Sequence, residues 1–125
     1  MTAPFVFITT HRIKPGREAQ FAALHEDYLG FVERSEPRLL GHFTYSTEDG
    51  SEVSLVQVHP DGESADHHLQ VVAPRLAEVA DVVENSAIEV YGEPGPGVRA
   101  ALDRNRDAGV SVRVTSRVVG GFARR

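Results

Sequence analysis

Residues 53–69 read VSLVQVHPDGESADHHL and contain the change of pattern that decides the fold. The apolar-rich run over residues 53–58 places positions 53, 55 and 57 on one face and positions 54, 56 and 58 on the other, which is typical of a β-strand. The turn-forming residues 60–64 then end this strand. Asp61 or Ser64 is placed to accept the free amide hydrogens at the start of a helix. The stretch therefore predicts a strand that passes directly into a helix.

The residues before this stretch predict a strand, a helix and a hairpin. Residues 5–13 alternate as a strand, and both of its faces begin apolar. Residues 14–17 open a helix of about 18 residues, which Glu36-Pro37 ends because the residue before proline avoids helical geometry. Strands 39–47 and 53–59 form a hairpin, since Asp49-Gly50 supplies the positive φ of a tight turn.

The residues after it predict two further helices and a strand. The helix after the turn runs to about Val72, and Pro74 divides it from a third helix. That third helix carries an apolar stripe at positions 76, 79, 80 and 83, and a strand comes next over residues 87–91. The resulting order is the β-α-β-β-α-β arrangement of an α+β, ferredoxin-like antiparallel sheet with helices on one face. We assign it to a domain of residues 1–92.

Residues 93–125 form a C-terminal extension. A glycine- and proline-rich linker precedes a short helix over 98–107, a strand over 110–119 and a basic tail. A lone strand is unstable, so strand 110–119 must join a sheet edge in its own protomer or in a second one. The reach of the linker slightly favours exchange between protomers.

Charge and composition restrict the class of function. Residues 1–95 hold six basic and sixteen acidic side chains, whereas residues 96–125 hold seven arginines and two aspartates. The acidic body and the single aromatic residue of the basic tail argue against a nucleic-acid partner. No secretory signal or apolar span is present, so we expect no membrane association and a cytoplasmic location. The chain has no cysteine, which excludes thiolate metal sites and a cysteine nucleophile.

Three stretches together resemble the antibiotic biosynthesis monooxygenase family: residues 12–17, the hairpin at 48–50, and residues 59–69. The resemblance covers about residues 4–92 and implies a homodimer in which two sheets face one another as a dimeric α+β barrel. It also implies a pocket between the sheet and the helices of one protomer. Some members of this family oxidise aromatic compounds or quinols without a metal or organic cofactor. The apolar character of both faces of strands 5–13 and 53–59 independently predicts a covered second face.

The candidate site residues are histidines and tyrosines. By the motif, His68 occupies a helix position that can face the pocket, where a neutral imidazole could act as a base on a phenolic substrate. Tyr45 is a candidate for orienting that substrate, while Tyr28, His59 and Tyr91 are candidates for binding it. Each of these side chains could instead simply pack in the core. His42, His59 and His68 match no metal-binding spacing, so we expect no metal and no other cofactor.

The sequence leaves two classes of function open. The first is a cofactor-independent monooxygenase acting on a small aromatic or quinol-like compound, which once deprotonated can pass an electron to oxygen itself. The second is a non-catalytic dimer of the same fold that binds a small ligand or serves a structural role. The sequence has no tryptophan, and neither Asn85 nor Asn105 lies in the first strand or first helix. These absences argue against heme degradation and favour the second class.

Overall fold

The computed structural model describes residues 3–124, which form one sheet covered by helices. The elements in chain order are β1 (Phe5–Ile13), α1 (Glu18–Ser35), β2 (Gly41–Ser46), β3 (Glu52–His59), α2 (Gly62–Val79), β4 (Val83–Tyr91), α3 (Pro96–Asp107) and β5 (Ser111–Thr115). The predicted α+β, ferredoxin-like order is confirmed. So are the added helix and strand of the C-terminal extension.

The sheet has five strands in the order β2-β3-β1-β4-β5. β1 is central and runs antiparallel to both β3 and β4, and β2 pairs antiparallel with β3. β5 pairs in parallel with β4 of the same chain, so the sheet is mixed rather than wholly antiparallel. The sequence slightly favours exchange of this strand between protomers, but in the structure the strand pairs within its own chain. β5 covers residues 111–115 only, and its predicted extension to residue 119 is wrong.

The two faces of the sheet differ in what covers them. The helix-facing side carries Leu55, which is buried in a cluster with Val72 of α2, and Phe7, which is buried in a second cluster with Val98 of α3. The other side, which we call the open face, has no covering element within residues 3–124. It carries Val6, Ile8, Phe43, Tyr45, Val56, Val58, Glu89, Tyr91 and Arg113. Phe43 and Tyr45 are 57% and 61% exposed.

α2 is longer than the sequence pattern predicts. The expected break at Pro74 is wrong, because a single helix continues through this proline to Val79. Proline removes one backbone hydrogen bond of a helix, but Val72 and the partly buried Val79 still pack in the core on either side of it. Val83, which the pattern places in the helical stripe, instead begins β4 and is paired with Ile13.

The C-terminal extension is joined to the body by packing and by one cap. Val98 and Leu102 of α3 are buried in an apolar cluster with residues of β1 and β4. The Asp66 carboxylate of α2 accepts a hydrogen bond from the Val98 amide at 2.8 Å and so caps the start of α3. A Cβ at Gly95 would lie 2.1 Å from a carboxylate oxygen of Asp66. This close approach explains why the linker before α3 has a glycine at that position.

Within residues 3–124, no helix combines the length and the apolar character needed to cross a lipid bilayer.

Candidate functional site

A cavity of about 660 Å³ lies between the sheet and the three helices. This volume is within the range of small-molecule sites, roughly 300–1,000 Å³. The sheet supplies Phe7, Thr9, His11, Leu55, Gln57, Val83, Asn85 and Ile88, and α1 supplies Phe21, Leu24, His25 and Tyr28. His68, Leu69, Val72, Ala73, Arg75, Leu76 and Val79 of α2 form a second wall, and Ala101, Arg104 and Asn105 of α3 form a third.

Four polar side chains form a hydrogen-bonded network at the buried end of this cavity. His68 Nδ1 lies 2.7 Å from Glu36 Oε2, and both side chains are 2% exposed. Its other nitrogen, Nε2, lies 3.3 Å from the Tyr28 hydroxyl, which is itself 3.2 Å from His42 Nε2. The network therefore connects the end of α1, the first turns of α2 and the edge strand β2. Of its members, His68 and Tyr28 line the cavity.

The chemistry of these groups gives the network a direction. A carboxylate oxygen only accepts hydrogen bonds, so His68 donates from Nδ1 to Glu36, and in the neutral imidazole Nε2 is the acceptor. Tyr28 then donates its hydroxyl proton to His68 Nε2 and accepts a hydrogen bond from His42 Nε2. His42 Nδ1 is then the unprotonated nitrogen of that ring, and it has no hydrogen-bond partner among the described residues. In this arrangement His68 Nε2 faces the Tyr28 hydroxyl, and both residues line the cavity.

Burial sets the protonation of the surrounding groups. It lowers the pKa of His42 to about 4, with a smaller contribution from the nearby His68. It also raises the pKa of the Tyr28 hydroxyl well above its ordinary value, with Glu36 adding to the effect. At neutral pH both side chains are therefore uncharged, which makes Tyr28 a hydrogen-bond donor rather than a phenolate.

His59 lies behind His68 and does not line the cavity. Its ring packs against the His68 ring with centroids 5.8 Å apart. Its Nε2 donates to Gln57 Oε1 at 3.0 Å, and its Nδ1 accepts from the Ser64 hydroxyl at 2.8 Å. Burial lowers the pKa of His59 to about 4, with smaller contributions from His68 and His42. The structure therefore gives His59 contacts that hold His68 in place, and no contact with the cavity.

Tyr45 and Tyr91 are not brought to the cavity. Both side chains lie on the open face, on the opposite side of the sheet from His68. Tyr91 donates a hydrogen bond to Glu89 at 2.6 Å, and Tyr45 is largely exposed. Of the residues that the sequence singles out, the structure thus gathers His68, Tyr28 and His59 and leaves these two tyrosines apart.

Two polar residues of the site are not among the sequence-based candidates. The sequence marks Glu36 only as the end of the first helix, yet its side chain is buried and accepts a hydrogen bond from His68. Gln57 lies in β3, is 3% exposed and lines the cavity beside His68. Gln57 could have been found from the sequence, because it is a polar residue on the same strand face as the apolar Val53 and Leu55. Glu36 has no such signal, because it meets His68 across 32 positions of sequence.

Within residues 3–124, no three His, Asp or Glu side chains are grouped so that they could hold a metal ion. His42, His59 and His68 do lie close together, with ring centroids about 6 Å apart. However, both nitrogens of His59 and both of His68 are directed at other side chains. His42 and His68 thus belong to the hydrogen-bonded network, and His59 packs against it.

Comparison with solved structures identifies the fold. MupZ of Pseudomonas fluorescens superimposes with a TM-score of 0.78 at 15% identity, covering 98% of this chain and 96% of its own. SnoaB of Streptomyces nogalater, a cofactor-independent oxygenase, gives a TM-score of 0.64 at 13% identity over 75% of this chain and 96% of its own. The fold is that of the antibiotic biosynthesis monooxygenases.

A proposed antibiotic biosynthesis monooxygenase of Caulobacter crescentus has the same fold, with a TM-score of 0.63 at 16% identity over 71% of this chain and 88% of its own. The Caulobacter protein and SnoaB each match a share of this chain close to the share that residues 1–92 make up. The match to MupZ extends over nearly the whole chain. The predicted resemblance is thus confirmed at the level of the fold. No family model matches the sequence, and no curated protein matches it.

Proposed function

We propose that this protein is a monooxygenase that uses His68 as a base on a small phenolic compound bound in the cavity. The observation that carries the proposal is the position of the His68 ring, between the Glu36 carboxylate and the Tyr28 hydroxyl at the buried end of a largely apolar cavity. A carboxylate on one imidazole nitrogen makes the other a better proton acceptor and fixes its direction. The apolar walls suit an aromatic ring.

The reaction begins with removal of a proton from the phenol. The substrate hydroxyl takes the place of Tyr28 as the donor to His68 Nε2, and the resulting imidazolium is stabilised by Glu36. Tyr28 remains beside the phenolate oxygen and can donate a hydrogen bond to it. The neutral state of Tyr28 favours this role, because the pKa of its hydroxyl is raised by burial.

Oxidation then uses electrons of the substrate. The phenolate gives one electron to O₂, and the two radicals combine to form a C–O bond at a ring carbon. The hydrogen of that carbon leaves as a proton, the O–O bond breaks, and one oxygen atom remains as the new carbonyl of a quinone. The other oxygen leaves as water after gaining two protons, one from the ring carbon and one from the phenol through His68. The overall change is phenol plus O₂ to quinone plus water.

The alternative function is binding of a small ligand without chemistry. It is favoured by the completeness of the network, because both His68 nitrogens already have partners and the ring is 2% exposed. The two functions differ in whether His68 affects oxygen consumption or only ligand binding.

Oxygen uptake with α-naphthol as the probe separates them. We expect uptake by the wild-type protein and a loss of about a hundredfold or more in His68→Gln, the usual contribution of a general base. The matched control is His67→Gln, because His67 is the adjacent residue of α2 and is exposed. Absence of uptake in the wild type, together with saturable binding of α-naphthol, would support the binding function instead.

We also propose that the protein is a homodimer that buries the open face. Val6, Ile8, Val56 and Val58 give this face an apolar centre, and Phe43 extends it at 57% exposed. Contiguous apolar surface of this kind is characteristic of an interface. Tyr45 would then lie between the two sheets rather than in the cavity.

A further inference from the structure

The cavity has a second polar end, which opens to solvent and is formed partly by the C-terminal extension. We call this end the mouth; it consists of His11, Asn85, Arg104 and Asn105. Asn85 and Arg104 are exposed and His11 and Asn105 are half-buried, whereas Tyr28 and His68 at the other end are buried. The mouth and the polar network thus lie at opposite ends of one cavity.

The two ends are separated by an apolar stretch of defined length. Phe7 of β1 is paired with Gln57 beside the polar network, and His11 of β1 is paired with Asn85 at the mouth. Phe7 and His11 are four residues apart in β1, which corresponds to about 13 Å along a strand. The sides between them are mostly apolar, with Ile88, Leu69 and Val72 among the lining residues. The cavity therefore fits an elongated molecule better than a compact one.

The mouth offers hydrogen-bond donors. Asn85 Nδ2 donates to Asn105 Oδ1 at 3.1 Å, and Asn105 Nδ2 donates to the Ala101 carbonyl at 2.8 Å. Each amide group has two N–H bonds and uses one of them here, so each keeps one N–H to donate. His11 Nδ1 is buried and has no hydrogen-bond partner among residues 3–124.

Arg104 adds a positive charge that is not neutralised locally. Arg99 and Arg106, which flank it on α3, pair with Glu93 and Asp103 respectively. Within the described part of the chain, Arg104 takes part in no ion pair. A guanidinium group together with two amide N–H donors is a set that recognises carboxylate oxygens.

From this arrangement we propose that the mouth is a carboxylate subsite, and that the natural ligand is an elongated, mostly apolar carboxylic acid with a phenol at its far end. Its carboxylate is held by Arg104, Asn85 and Asn105, and its far end reaches His68 and Tyr28. The statement about the far end rests on the proposed function, but the carboxylate subsite does not. It assigns a role to α3, which otherwise only packs against the sheet.

Calorimetric titration with decanoate and with decanol tests the subsite without any turnover. Both probes have an apolar chain, but only decanoate carries a carboxylate. We expect the wild type to bind decanoate more tightly than decanol. Arg104→Gln should weaken decanoate binding by about two- to fivefold, the usual effect of an exposed ion pair, and should leave decanol unchanged. Arg106→Gln is the matched control, since it removes the same charge from the same helix outside the cavity.

A second variant shows whether the probes occupy the cavity. Ala101→Phe places a large side chain in the wall formed by α3 and should abolish binding of both probes, with folding checked by circular dichroism. Equal affinities for the two probes, no binding of either, or an equal loss in Arg104→Gln and Arg106→Gln would each overturn the subsite. Decanoate binding that depends on Arg104 in a protein that consumes no oxygen would overturn the proposed function alone.

Discussion

Glu36 and His68 form a buried pair that joins the end of α1 to α2, with 2.7 Å between Oε2 and Nδ1. Glu36→Gln keeps the size of the side chain and removes its charge, so the His68 imidazolium formed during turnover loses its stabilising partner. We expect oxygen uptake with α-naphthol to fall by about tenfold or more, with little change in KM. Glu33→Gln, an exposed position on the same helix, should have no effect. A normal turnover rate in Glu36→Gln would show that the carboxylate does not assist His68.

His59 gives a prediction for stability against pH. Burial lowers its pKa to about 4 in the folded chain, against an ordinary value of 6.5. Between these pH values the unfolded chain binds a proton that the folded chain does not. The free energy of unfolding therefore falls as the pH is lowered through this window, by at most about 1.4 kcal/mol per pH unit for one histidine.

Urea unfolding between pH 7 and pH 4 measures this dependence. In His59→Gln we expect a shallower decline than in the wild type, because one buried histidine no longer takes up a proton on unfolding. His67→Gln should follow the wild-type curve, since His67 is exposed. An unchanged slope in His59→Gln would mean that this ring is not held neutral by the fold.

The sequence predicts single site residues only where a local pattern points to them. The turn and helix start over residues 60–64 place His68 on α2, and the family resemblance of residues 59–69 implies its direction toward the pocket. Glu36 could not, because its partner lies 32 positions away. Tyr45 and Tyr91 are candidates by residue type, but the pairing of β2 and β4 places both on the open face.

At the scale of elements, Pro74 is the clearest departure from local rules. Proline removes a helical hydrogen bond and its ring crowds the preceding turn, at a cost of about 3 kcal/mol in a helix interior. In this protein α2 nevertheless continues past it to Val79. The packing of Val72 and Val79 in the core offsets a local preference that by itself predicts a break.

Pro74→Ala should therefore stabilise the protein. Pro74 is exposed, so alanine restores the hydrogen bond without leaving a cavity. We expect the free energy of unfolding in urea to rise by about 1–3 kcal/mol. Pro37→Ala is the control, because Pro37 lies outside the helices, where proline breaks no helical hydrogen bond. A less stable Pro74→Ala protein would indicate that α2 is bent at this position for a packing reason.

The boundaries of the other elements show which patterns are reliable. β1 and β3 alternate between a buried and a half-covered face, and their predicted limits agree with the structure to within one residue. β5 ends four residues earlier than its alternation suggests, because only residues 111–115 pair with β4. Alternation predicts that a strand can form, while its length depends on the partner strand.

At the scale of the whole molecule, the open face predicts an assembly. Phe43→Glu places a charge in the part of the proposed interface that β2 contributes, where its desolvation would oppose association. We expect the wild type to scatter light as a dimer and Phe43→Glu to scatter as a monomer at the same micromolar concentration. Ala22→Glu, an exposed change on α1, should leave the dimer intact. If the wild type scatters light as a monomer, the proposal that a second protomer covers the open face is wrong.

The proposed reaction depends on His68, which would remove a proton from a phenol so that oxygen can be inserted into its ring. The most direct measurement traces isotopically labelled oxygen gas into the quinone formed from α-naphthol, by mass spectrometry. We predict one labelled atom per quinone molecule with the wild-type protein, and formation about a hundredfold slower or more with His68→Gln. Labelled quinone formed at equal rates by the two proteins, or quinone without label, would contradict the claim.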